Sequence, residues 1–145
     1  MPYLTLPIVE GGAFLELEVS ASLPRIKALQ AAGRVTPTPV RIRGLIDTGA
    51  SGTAIDPDSL KALQLSPTGQ IPIHTPSTRG APVAFDQYDV MLRLLHPKLS
   101  IYFQALPVIA AKVEAQGFQA LIGRDVLKEC LFVYNGAANI FSLAF

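Results

Sequence analysis

The chain has 145 residues, half of them hydrophobic and 16% charged, with a formal charge of +1. That length fits one domain with its own core, 1–145, and the near-neutral balance offers no general attraction to nucleic acid or anionic lipid. Cys130 is the only cysteine, which excludes an internal disulfide and any site built from several thiolates.

Residues 1–12 lack the basic start and continuous apolar stretch of a secretory signal, and Glu10 interrupts them early. Pro, Gly or a charged residue breaks every later apolar run short of the roughly 20 residues a membrane helix needs. A cytoplasmic protein with no membrane partner is the resulting expectation. Ala13 to Val19 alternates Phe14, Glu16 and Glu18 with Leu15, Leu17 and Val19, the period of a strand with one buried face. Leu23 to Ala32 instead spaces Leu23, Ile26 and Leu29 as a helix, with Ser22 as N-cap, Pro24 in the first turn and Gly33 as the stop.

After an extended connector at Thr36 to Pro39, a strand over Val40 to Ile46 runs into Asp47. Asp58 to Leu65 reads as a helical turn or two. Ile71 to Leu95 reads as a long hairpin with its tip near Arg79 and Gly80. Further strands are expected at Leu99 to Val108 and Gln119 to Ile122, and a short helix at Arg124 to Glu129. Leu131 to Phe145 should fold back about Asn135 and Gly136, a type I′ signal. Scattered prolines and glycines that cut the chain into strand-length pieces point to an all-β domain.

Asp47, Thr48, Gly49, Ala50 and Ser51 follow directly on Leu45 and Ile46, which puts an acid on a tight turn at the end of a buried strand. Gly49 permits close approach of the chain, and Thr48 offers a hydroxyl to lock the turn. An ordinary Asx-type turn uses the same residues. A second run, Ala120, Leu121, Ile122, Gly123, Arg124, Asp125, repeats the apolar pair and glycine, with Gly123 lying 76 positions after Asp47. With both motifs in this order, the chain resembles the retropepsin-like aspartic peptidases from about Val40 to its end. In that family an apolar-apolar-Asp-Thr/Ser-Gly-Ala turn is threaded by a later apolar-apolar-Gly segment and a helix.

The resemblance implies a mostly β, closed acid-protease (retropepsin-like) barrel with a flap hairpin and one or two short helices. It also implies an aspartic endopeptidase needing no metal and no cofactor. Asp47 would be the catalytic acid, supported by Thr48, Gly49 and Ala50, with Leu121, Ile122, Gly123 and Arg124 as the structural second motif. Thr78, Arg79 and Gly80 of the flap would face a peptide or protein substrate. Retroviral members commonly pair the arginine after the second glycine with an acid at the position of Ser51, so Arg124 needs another partner here. Pepsin-like members carry serine at the position of Ala50, so one hydrogen bond to the ionised carboxylate is missing. An activity optimum less acidic than pepsin's is expected.

Hydrolysis by this route needs two carboxyl groups in different protonation states, and the chain holds one Asp-Thr-Gly. A homodimer with Asp47 and its copy on the two-fold axis supplies both. The apolar end of the chain, Ile140 to Phe145, either pairs with the partner or lies inside the monomer's own sheet. A catalytically silent peptide-binding or assembly module on the same fold is the alternative. His74 and His96 lie 22 positions apart with no ligand pattern around them, and Cys130 fits a buried structural thiol. Asp125, at the start of its helix, is expected to favour the helix N-terminus.

Overall fold

The computed structural model describes residues 1–74, 79–113 and 117–145. Its strands are β1 (Tyr3–Pro7), β2 (Phe14–Ala21), β3 (Val40–Ile46), β4 (Ala54–Ile55), β5 (Gly69–Ile73), β6 (Val83–Leu94), β7 (Ile101–Ala110), β8 (Ala120–Ile122), β9 (Leu131–Asn135) and β10 (Ile140–Ala144). The helices are α1 (Leu23–Ala31), α2 (Pro57–Lys61) and α3 (Arg124–Leu127). None of them is long and apolar enough to cross a membrane.

The alternation in β2 does what its pattern demands: Leu15, Leu17 and Val19 are buried while Glu16 is exposed. β2 pairs with β3 on one side and with β6 on the other. The strand order β2-β3-β8-β4-β7-β6 therefore returns to β2 and closes a six-stranded barrel. Its interior is filled by Leu17, Val19, Ile42, Ile55, Val90, Leu92, Leu94 and Ile122, each nearly or fully buried. β5 hangs from β6 as the outer arm of a hairpin, paired from Gly69↔Gln87 to Ile73↔Val83.

Helix α1 begins where Ser22 Oγ accepts from Arg25 N–H, with Pro24 in its first turn, and the chain leaves it at Gly33 with φ of 67°. Helix α2 starts one residue before the expected segment and is capped by Asp56, whose side chain accepts from Asp58 N–H. Asp56 is buried, a cap position that its polar, proline-containing neighbourhood did not reveal.

A second sheet has the order β1-β10-β9. Of the two readings of Ile140 to Phe145, the structure takes the one inside the monomer: β10 is the centre of this sheet, with Phe141 and Leu143 fully buried. The turn between β9 and β10 departs from the type I′ expectation. Asn135 pairs with Ile140 across a loop of residues 136–139, Asn135 Oδ1 accepts from Ala138 N–H, and Asn139 takes the positive φ of 55°. This register sets Leu131 to Tyr134 against Phe141 to Ala144, a stretch apolar but for Ser142, and leaves Gly136 to Asn139 in the loop.

Candidate active site

Asp47 stands where β3 ends. Its backbone N–H donates to Ile122 O at 2.9 Å, and its Oδ1 accepts from Gly49 N–H at 2.9 Å. A Cβ at residue 49 would lie 3.2 Å from that same oxygen, so glycine lets the backbone donor come close to the carboxylate. Ala50 N–H closes the turn on Asp47 O at 3.2 Å. Asp47 as a residue is half-buried, while Thr48 and Gly49 are exposed. Among the described residues the Thr48 hydroxyl has no hydrogen-bond partner.

The second motif threads between the strands on either side of this turn. β8 runs parallel to β3, with Gly44↔Ala120, Leu45↔Leu121 and Ile46↔Ile122, and antiparallel to β4, with Ala54↔Leu121 and Ile55↔Ala120. The 76-residue spacing between the motifs is this parallel register, repeated in the Arg43–Gln119 and Thr48–Arg124 contacts. At the crossing Gly123 packs on Gly52 so tightly that a Cβ would sit 2.4 Å from Gly52 O.

Arg124 finds its partners on the turn itself. Its backbone N–H donates to Ala50 O at 2.9 Å and its Nη1 to Thr48 O at 2.9 Å, so Arg124 clasps the two carbonyls that flank Gly49, one through its main chain and one through its guanidinium. With Ser51 offering no carboxylate, backbone acceptors replace the acid. Asp125 does more than favour its helix. Besides accepting from Val126 N–H, it accepts from Thr53 N–H at 2.9 Å and Thr53 Oγ1–H at 2.8 Å, and Thr53 Oγ1 accepts from Gly123 N–H at 3.2 Å. Thr53 is almost fully buried. The segment after the Asp47 turn and the second motif are thus tied together by charge-assisted bonds at a partly buried point.

Asp47 opens onto a cleft of about 770 Å³. Its walls are apolar, with Ile71 and Ile73 of β5, Phe85 of β6, Pro107 and Ile109 of β7, and Leu121. Among the described residues lining it, Asp47 is the sole carboxylate, and exposed His74 stands at the rim. The β5–β6 hairpin overhangs this cleft, as a flap would. Arg79 and Gly80 form an exposed turn with φ of 46° and 83° on its connection, and Thr78 lies outside the described residues. The cleft walls were not legible from the chain, because neither alternation nor motif distinguishes a wall residue from a core residue.

The remaining chemistry-bearing residues lie elsewhere. His96 Nδ1 accepts from Lys98 and Leu99 N–H, and its Nε2 lies 3.0 Å from Tyr3 O, so the imidazole pins the β6–β7 turn to β1. Half-buried Cys130 donates weakly to Val126 O at 3.7 Å. Burial, and then the neighbouring Glu129 charge, push its thiol pKa up, away from nucleophile chemistry. No group of three or more His, Cys, Asp or Glu among the described residues is placed to hold a metal.

No family model matches the chain, and a search of curated proteins found no match. Among solved structures, a retropepsin-like aspartic protease from Rickettsia conorii is similar over 99% of this chain and 91% of its own, with a TM-score of 0.63 and 14% identity. At that identity the likeness is one of fold: the chain has the mostly β, retropepsin-like acid-protease barrel.

Proposed function

We propose that the protein is a homodimeric aspartic endopeptidase in which each copy contributes one Asp47 to a shared site. The observation that carries this reading is the setting of Asp47: a carboxylate fixed by Gly49 N–H on a clasped turn, in an apolar cleft beneath a hairpin. Two such carboxylates brought together share one proton, because ionising both at close range is costly. The ionised member takes a proton from water, and the water oxygen attacks the scissile carbonyl carbon. The protonated member donates to the carbonyl oxygen. Collapse of the tetrahedral intermediate breaks the C–N bond, and the departing nitrogen leaves as an amine after taking a proton from the dyad.

Ala50 supports the turn through its carbonyl, which holds Arg124. The unpartnered Thr48 hydroxyl is available to donate across the two-fold axis. Arg79 and Gly80 belong to the flap that would close over an extended peptide, supplying backbone hydrogen bonds while the apolar walls select side chains. None of these steps calls for a metal or an organic cofactor. A single cysteine suits a reducing compartment such as the cytoplasm.

Cleavage of unfolded protein and of peptides with paired apolar residues, compared with the Asp47→Asn variant, tests the reading. The expected loss in the variant is at least about 10³-fold, the scale of general acid–base catalysis. Equal cleavage by the two proteins would overturn it.

A further inference from the structure

The walls of the Asp47 cleft are largely apolar, so the few groups on them that can hold a charge decide which charged side chains a bound peptide can carry. Among the described lining residues there are two, Asp47 and His74. His74 follows directly on Ile73, where β5 ends, and is exposed at the rim. Among the described residues it has no hydrogen-bond or ion-pair partner. Asp86 on the paired strand is turned away from it. Phe85 and Gln87 on either side of Asp86 line the cleft, whereas Asp86 accepts from Gln70 Nε2 at 3.0 Å. β7 and β8 contribute only uncharged residues to the lining.

The cationic side of this balance extends beyond His74. The Arg124 guanidinium donates to Thr48 O on the turn that carries Asp47, and no carboxylate among the described residues forms an ion pair with it. Arg79 lies on the connection of the hairpin above. Two copies of the site would set two carboxyl groups sharing one proton, hence one negative charge, against two imidazoles and two guanidinium groups without a counter-ion. We infer that the cleft selects peptides carrying an acidic side chain beside their apolar cleavage site, and that His74 is the residue that reads it. The apolar walls strengthen the attraction, while exposure of His74 keeps the gain to a few-fold. The inference rests on the peptidase reading of the cleft and deepens it by naming a substrate class.

Paired peptides test this: each has the same central apolar pair and differs only in glutamate or glutamine at one flanking position. At about pH 5.5 an ordinary imidazole is charged and an ordinary glutamate ionised, whereas at about pH 8 the imidazole is neutral. The parent should favour glutamate in kcat/KM by at least about threefold at one or more positions at the lower pH, and lose most of that preference at the higher. His74→Gln should lose it at both while cleaving the glutamine peptides within about twofold of the parent, and His74→Lys should keep it at both. Lys27→Gln, on an exposed residue of α1 outside the cleft, serves as the control and should match the parent. Asp47-dependent cleavage with no glutamate preference, or with a preference that survives in His74→Gln, would overturn the assignment of His74 and leave the peptidase reading standing. A parent that cleaves neither member of any pair would overturn both.

Discussion

Gly123 adopts φ of −87°, open to any residue, so its need for glycine comes from proximity and not from backbone freedom. A methyl group there would meet the carbonyl of Gly52, a backbone atom that cannot swing aside. Gly123→Ala is therefore expected to cost about 1–3 kcal/mol in urea denaturation, the range for overpacking a close contact. An unchanged midpoint would contradict the close crossing of the two motifs. The sequence made Asp47, Gly49 and Gly123 conspicuous because each sits in a short run of fixed chemical character. It concealed Thr53 and the bonds of Thr53 to Asp125, which join positions 72 residues apart with no local pattern. Arg124 was visible as a cation lacking its familiar acid, yet backbone carbonyls, its actual partners, have no signature in a sequence.

At the scale of elements, the centre of the small sheet should be sensitive to substitution. Phe141 on central β10 is fully buried, packs against Phe132 with ring centres 6.0 Å apart and planes tilted by 54°, and belongs to the core. Phe141→Ala should lose about 3–5 kcal/mol by chemical denaturation, and a loss below about 1 kcal/mol would contradict its placement. Elements with strong periodicity were legible: β2 by its alternation, α1 by its spacing and cap, β3 to the residue. β4, two residues long, is too short for any period, and β1 ends in a proline that reads as a break although an edge strand tolerates it. Asn135-Gly136 carried a true turn signal but the wrong turn. The pairing of apolar stretches on β9 and β10 set a longer loop, and tertiary register outweighed a local dipeptide preference.

The whole molecule is a closed barrel with a hairpin over one cleft and a terminal sheet beside the turn that carries Asp47. Barrel closure follows from β2 pairing with both β3 and β6. The function proposed for this architecture is a property of two chains: a copy with intact Asp47 but a defective partner should be inactive. Adding the Asp47→Asn protein in ninefold excess to the wild-type protein, under conditions where subunits exchange, tests this most directly. Random pairing leaves about one wild-type chain in ten with a wild-type partner, so cleavage per wild-type chain should fall to about a tenth of its starting value. Cleavage that stays proportional to the wild-type chain at every excess of the variant would contradict a site shared between two Asp47 residues.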